Sequence, residues 1–226
     1  KRLRDNDVNI ITTARPYFAD GGVGVYQFDS NNDGKLKQTD GDKVHLFVSM
    51  RRGGKFIYAL DASTPETPKF LWKRSSSDAH YNELGETWSI PKPVKIRASA
   101  NPVLVMGAGY DPVAEDVMPQ GTAARGRGVM VIDATNGNMI WQAGPSGSAN
   151  LTVSGMKYSI AADMMVFDRD GDGFSDRIYA ADTGGNIWCI DIDSADTSDW
   201  TVTRLAALGG GGANPRKFLY APDVVL

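Results

Sequence analysis

The 226-residue sequence lacks the features that mark several large classes of protein. Its one cysteine, Cys189, excludes a disulfide within the chain and lies in an apolar run typical of a packed strand. The net charge is −3 and the isoelectric point is near 5.4, so the chain does not have the excess of basic residues that is typical of a nucleic-acid-binding protein. No segment approaches the roughly 18 consecutive apolar residues of a membrane helix. We therefore expect no nucleic-acid partner and no transmembrane segment in this chain.

Catalytic motifs are also missing. The two histidines, His45 and His80, are not spaced as a metal pair, and nothing supplies the sharp strand-to-helix turn of a hydrolase nucleophile. Glu83 and Glu86 precede Trp88 in a predicted loop, where we expect them on a solvated rim. The sequence therefore predicts a protein that is not an enzyme.

What the sequence does contain is a repeat of short strands. Its 25 glycines punctuate apolar runs in Asn-Gly, Asp-Gly and Gly-Gly pairs, which is typical of all-β proteins. A glycine turn, an alternating strand and a closing aspartate occur three times, at 53–61, 126–133 and 184–191. Counting the flanking strands gives four strands per repeat, in units of roughly 50 to 60 residues, which is the pattern of β-propeller blades.

The predicted fold class is thus an all-β β-propeller, with one domain over residues 1–226. Blades are expected at about 20–74, 86–144 and 158–206, and Lys217–Tyr220 could open another. Three or four blades are at or below the minimum for closing a ring, and an open propeller would expose strand edges. We therefore expect a fragment of a larger ring or a modified ring.

An acidic loop interrupts the third repeat with the spacing of a calcium-binding site. In Asp168-Arg-Asp-Gly-Asp-Gly-Phe-Ser-Asp176, aspartates stand at positions one, three, five and nine and glycines at four and six. Alternate side chains of a tight turn converge, and a set of hard oxygens suits Ca²⁺. The predicted ligands are the side chains of the four aspartates and one main-chain carbonyl: Asp168, Asp170, Asp172, Phe174 and Asp176.

This loop differs from an EF-hand. Position twelve, where an EF-hand carries a bidentate glutamate, is Tyr179, and the flanking segments are predicted strands rather than helices. The sequence therefore predicts a calcium loop that joins the first two strands of a blade. A solvated acidic turn without metal is the alternative.

A second loop occupies the equivalent place in the first repeat. It has the same one-three-five spacing, but Lys37 stands at position nine. A second calcium site would therefore use position twelve and a main-chain carbonyl, with the ligand set Asp29, Asn31, Asp33, Lys35 and Asp40. A polar turn without metal remains equally open.

These motifs together resemble the PilY/PilC family of type IV pilus proteins. The resemblance runs from about residue 43 to the end of the chain. It is carried by Tyr58-Ala-Leu-Asp61, Leu84-Gly-Glu-Thr-Trp-Ser89, Val103–Asp111, Gly128–Asp133 and, most specifically, Asp168–Trp188.

The resemblance implies the C-terminal propeller of a large adhesin of the pilus tip. Its calcium site would regulate pilus extension and retraction, and hence surface adhesion and twitching motility. The implied location is extracellular, at the pilus tip or outer membrane of a Gram-negative bacterium. The implied partners are minor pilins of the pilus tip, together with a host or surface receptor that the sequence does not identify.

Two other propeller classes remain open from the residues. A quinoprotein dehydrogenase also carries Gly, Asp and Trp repeats with calcium and a quinone, but this chain lacks an adjacent cysteine pair. We interpret its repeated tryptophans as blade-packing residues. An integrin-like adhesion propeller would also place calcium loops between first and second strands.

Overall fold

The computed structural model describes residues 17–118, 120–146, 149–210 and 216–225, which form three β-sheets in chain order. The first sheet contains β1 (Val23–Phe28), β2 (Lys43–Ser49), β3 (Phe56–Asp61) and β4 (Lys69–Ser75). The second contains β5 (Lys92–Val94), β6 (Val103–Gly107), β7 (Val129–Asp133), β8 (Met139–Gly144) and β9 (Leu151–Thr152). The third contains β10 (Met165–Phe167), β11 (Arg177–Ala181), β12 (Asn186–Asp191) and β13 (Thr201–Ala207).

Each sheet is a meander in which sequence neighbours pair antiparallel. The exception is β9, which adds to β8 in parallel and which the sequence did not predict. The pairing between the third and fourth strands shifts register in every sheet, at Ala59/Leu60, Val131/Ile132 and Ile187/Trp188. Such bulges increase the local twist of a strand pair. The three sheets therefore share a bulge at the same place as well as the same strand order.

Helix is confined to short turns. The insertion between β6 and β7 contains α1 (Pro112–Glu115), capped by the Asp111 side chain, which accepts a hydrogen bond from Val113 N. Two 3₁₀ turns lie at Gln38–Asp40 and Thr197–Asp199. No helix in the described ranges is long and apolar enough to cross a membrane.

The sheets pack face to face, with the second sheet buried on both sides. Val103 and Val105 of β6 belong to the core shared with the third sheet, whereas Leu104 and Met106 belong to the core shared with the first. Because successive side chains of a strand point to opposite faces, one strand supplies both cores. This explains why β6 and β7 are buried at every position.

The repeated tryptophans lie in these cores. Trp72 of β4 donates its indole N–H to the carbonyl of Ala134 in the second sheet at 3.0 Å. Trp141 and Trp200 meet edge to face, with ring centroids 5.1 Å apart, between the second and third sheets. All three are buried, as expected for packing residues.

Residues 216–225 contain no strand, although the sequence suggested one at Lys217–Tyr220. Phe218 donates its N–H to Asp182 O at 3.3 Å, and Lys217 pairs with Glu115 of α1 at 3.1 Å. The segment is therefore held by side chains and loops of the second and third sheets, and a further blade stays a prediction.

Candidate metal centre

The acidic loop joins β10 to β11, as the sequence predicted. The two ends of the loop are joined by a hydrogen bond, in which Asp176, just before β11, donates its N–H to Phe167 O at 2.9 Å. Ile192, directly after β12, donates to Asp176 O at 2.8 Å. The strands therefore fix both ends of the loop and the position of Asp176.

The bend follows from aspartate and glycine chemistry. The two carboxylate oxygens of Asp168 accept the N–H groups of Gly171 at 2.7 Å and Gly173 at 2.8 Å. Both glycines have left-handed backbones, with φ of 76° and 90°, which other L-residues rarely adopt. The bond from Gly173 is the main cause that holds the pKa of Asp168 below its usual value. These two bonds hold the Asp168 carboxylate inside the turn.

Three of the predicted ligands converge. Asp168, Asp170 and Asp176 each offer a carboxylate oxygen, and these oxygens lie within 4.8 Å of one another. Across the described part of the chain, no other three His, Cys, Asp or Glu residues form such a group. Carboxylates this close repel one another unless a cation or a proton neutralises them.

Asp176 is the most telling member of the group. It is 1% exposed, and its Oδ2 accepts the N–H of Arg169 at 2.6 Å, while its Oδ1 is buried without a hydrogen-bond donor. Burial, with smaller contributions from the charges of Asp170 and Asp193, raises the pKa of this carboxyl. A buried oxygen without a donor costs free energy, and a bound cation would satisfy it. The residues present therefore fit a Ca²⁺ ion.

Asp172 and Phe174 are placed differently from the other predicted ligands. Asp172 Oδ2 lies 2.5 Å from a terminal nitrogen of Arg97, and its Oδ1 accepts the N–H of Phe174 at 2.9 Å. Asp172 is thus outside the converging group, and the carbonyl of Phe174 stays a predicted ligand.

The loop between β1 and β2 has similar turns without the same convergence. Asp29 Oδ2 accepts Gly34 N at 2.8 Å, and Asp33 Oδ1 accepts Lys35 N at 2.8 Å. Asp29 Oδ1 is buried without a partner. Asp40 lies 3.7 Å from Lys37, and neither Asp33 nor Asp40 joins Asp29 in a group of converging carboxylates. Metal binding by Asp29, Asn31, Asp33, Lys35 and Asp40 stays a prediction.

Sequence reasoning missed Asp42 in this loop. Asp42 directly precedes β2 as Asp176 directly precedes β11, and its Oδ1 accepts Ser30 N at 2.8 Å as Asp176 accepts Arg169 N. Unlike Asp176, it also uses its second oxygen within the chain, which accepts Lys37 N at 2.8 Å. The shared position before the second strand was the signal that could have identified it.

Two further expectations concern residues outside these loops. Glu83 is buried rather than on a solvated rim, because it forms a two-pronged ion pair with Arg127 at 3.0 and 2.6 Å. His45 lies on β2 between the Tyr26 and Phe47 rings, and burial lowers its pKa. Within the described residues, neither side chain joins a group of three or more converging His, Cys, Asp or Glu residues.

Comparison with known proteins identifies relatives that match most of the chain. Residues 1–214 match the family model of the PilY1 beta-propeller domain. A type IV pilus biogenesis factor PilY1 homolog of Xylella fastidiosa is 28% identical over 167 residues, covering 70% of this chain and 10% of that protein. The PilY1 biogenesis factor of Pseudomonas aeruginosa strain UCBPP-PA14 is 27% identical over 175 residues, covering 76% of this chain and 14% of that protein.

The fold agrees with these sequence matches. The crystal structure of the P. aeruginosa PilY1 C-terminal domain superposes with a TM-score of 0.63 at 21% identity, covering 92% of this chain and 41% of that one. The chain thus spans between a tenth and a seventh of the length of these two curated relatives. The three stacked sheets, antiparallel except at β9, are propeller blades that do not close a ring within the described residues, and the chain belongs to the family of the PilY1 beta-propeller domain, a family of type IV pilus biogenesis factors.

Proposed function

We propose that this chain is a calcium-binding propeller module of a type IV pilus biogenesis factor and tip adhesin. In this role it supports control of pilus extension and retraction, surface adhesion and twitching motility, at the cell surface or pilus tip. Its partners are other components of the pilus tip. The family membership and the names of the relatives support the pilus role, while the acidic loop supports the calcium role.

One observation carries the calcium proposal: Asp176 Oδ1 is buried and without a donor beside the carboxylates of Asp168 and Asp170. Ca²⁺ prefers hard carboxylate oxygens to softer nitrogen or sulfur ligands. The bound ion would balance the negative charge that this group keeps beyond the ion pair of Asp170 with Arg97. The Gly171 and Gly173 N–H groups hold Asp168 in place, and Arg169 N holds Asp176.

Binding of calcium to the folded loop alone would stabilise the propeller by linkage. Because the unfolded chain does not bring these carboxylates together, the gain is set by the ratio of free ion to Kd. At a hundredfold excess it amounts to about 2.7 kcal/mol. The loop joins two strands of the third sheet, so this free energy acts on that sheet directly.

Calorimetric titration of EGTA-stripped protein tests the proposal. We expect calcium heat from the wild type and a large loss of affinity in Asp170→Ala, whose exposed side chain can be removed without disturbing the core. Asp199→Ala, an exposed aspartate in the 3₁₀ turn that precedes β13, is the control and should bind like the wild type. Absence of heat in the wild type, or identical binding by Asp170→Ala, contradicts the proposal.

The same titration counts the ions. One ion per chain, whose binding is lost in Asp170→Ala, assigns binding to the β10–β11 loop alone. A second ion, whose binding is lost in Asp29→Ala, assigns the β1–β2 loop as well. An absorption spectrum of the purified protein examines the quinoprotein alternative, since a quinone band would identify a dehydrogenase. In the bacterium, Asp170→Ala in the full-length protein should reduce twitching motility, with Asp199→Ala as control.

A further inference from the structure

Arg97, a residue of the second sheet, reaches into the acidic loop of the third. It lies in the turn between β5 and β6, and one terminal guanidinium nitrogen is 2.5 Å from Asp172 Oδ2 and 3.6 Å from Asp170 Oδ2. Its Nε donates to Asp193 Oδ1, after β12, at 3.0 Å. One side chain thus connects the second sheet with two separate segments of the third.

The loop has two more attachments to the same turn. Ser175 donates its N–H to Lys95 O at 2.8 Å, and the Arg97 guanidinium lies 5.5 Å from the centre of the Phe174 ring. The acidic loop is therefore part of the junction between the second and third sheets. A change in the loop must act on that junction.

Arg97 offers positive charge to two of the carboxylates predicted to hold calcium. A guanidinium paired with a carboxylate occupies the same oxygens that a cation would use. It also places one positive charge next to the site, which opposes the entry of a divalent ion. Asp193, which Arg169 also approaches at 3.7 Å, anchors Arg97 in this position.

We propose that Arg97 is a positioning residue that competes with calcium for Asp170 and Asp172, which couples ion binding to the contact between the second and third sheets. The inference rests on the proposed calcium function and adds its regulation. Without the ion, the guanidinium neutralises the loop and holds the two sheets together. When the ion binds, Asp170 and Asp172 leave Arg97, and the junction loosens on the Arg97 side.

Calcium titration of Arg97→Gln tests the competition. Removing the positive charge and freeing Asp172 should tighten calcium binding by a factor of about three to ten, the range expected for one unit charge acting on a divalent ion in a solvent-screened site. A purely structural role of Arg97 would instead leave affinity unchanged or weaken it. Arg204→Gln, on β13 and away from the loop, alters net charge equally and should keep wild-type affinity.

A thermal unfolding series supplies the second readout. Without calcium, Arg97→Gln should unfold at a lower temperature than the wild type, and saturating calcium should raise its midpoint by more than it raises that of the wild type. If Arg97→Gln does not fold, Arg97→Lys decides the matter. Lysine keeps the positive charge but, without a guanidinium, cannot bind Asp172 and Asp193 at the same time through separate nitrogens. The calcium affinity of Arg97→Lys should therefore exceed that of the wild type.

The outcomes separate this inference from the calcium function itself. Wild-type protein without calcium heat overturns both. Wild-type protein that binds calcium, with Arg97→Gln or Arg97→Lys binding equally or more weakly, leaves the calcium function standing and overturns the competition. Tighter binding by the Arg97 variants, with Arg204→Gln unchanged, supports both.

Discussion

At the residue scale, two aspartates in equivalent positions differ in what their second oxygen does. Asp42 and Asp176 both precede the second strand of their sheets and both accept an N–H from the residue after the loop's first aspartate. Asp42 accepts a further N–H from Lys37, whereas Asp176 keeps Oδ1 without a donor. The main-chain bonds from Lys37 and Ser30 lower the pKa of Asp42, while burial raises that of Asp176. Both carboxylate oxygens of Asp42 thus accept main-chain N–H groups, whereas only one oxygen of Asp176 does.

Asp42 should make the protein sensitive to acid. Its native pKa lies below the ordinary value of 3.8, so its contribution to stability is complete above that value and is lost as the pH falls through the lower native pKa. We expect Asp42→Asn to be less stable than the wild type at pH 7, with the difference shrinking below pH 3.8. Urea unfolding in calcium-free buffer across this range measures it. Asp20→Asn, at an exposed position, is the control, and a difference independent of pH would contradict the assignment.

At the element scale, the short loops carry the chemistry and the strands hold their ends. The β1–β2 and β10–β11 loops contain the same local turns, in which an aspartate accepts the N–H of the residue two or more positions later. The strands fix the two ends of the β10–β11 loop, where Asp176 donates its N–H to Phe167 O. A turn pattern therefore specifies the bend, and the sheet specifies which carboxylates meet within it.

Gly173→Ala tests the backbone requirement of the loop. A Cβ at Gly173 would meet no atom within 4 Å, so the cost comes from its φ of 90° alone, about 1–2 kcal/mol of unfolding free energy. Gly173→Asn should lose less, because asparagine tolerates left-handed backbone better than alanine. Gly121→Ala, where a Cβ makes ordinary contacts, is the control for urea unfolding. An equal loss at both glycines would show that φ is not the cause.

At the scale of the whole molecule, the stacked sheets are joined by both apolar cores and polar bridges. Tyr81 OH and Arg74 Nε both donate to Gly137 O at 2.7 Å, which connects the first sheet with the β7–β8 turn of the second. Glu115 of α1 accepts a hydrogen bond from the hydroxyl of Thr183, in the turn between β11 and β12 of the third sheet, at 2.6 Å. Since the second sheet shares a core with each neighbour, we expect the three sheets to unfold as one unit.

Trp141→Ala tests this coupling from the centre. Trp141 is 1% exposed in the core between the second and third sheets, and its truncation should cost about 3–5 kcal/mol. Phe70→Ala removes an aromatic side chain that is 62% exposed and should cost under about 0.5 kcal/mol. Calorimetric scans should show one transition in the wild type and in Trp141→Ala. A separate early transition of the third sheet alone would contradict coupled unfolding.

The sequence by itself determined the local features of this protein. Short apolar runs between glycine and aspartate turns predicted all the described strands except β9, which is only two residues long and pairs in parallel. Aspartate and glycine spacing predicted the β10–β11 loop, since its turns use bonds between residues only two to five positions apart.

Only the tertiary structure decided which groups meet. It brought Asp168, Asp170 and Asp176 together, placed Asp172 against Arg97, and joined Arg97 to Asp193, which is 96 positions later in the chain. It also buried Glu83 beside Arg127. Such contacts depend on how one sheet stacks on the next, and the spacing of residues within a single loop does not specify this stacking. The acidic loop was therefore visible in the sequence, and its connection to the neighbouring sheet was not.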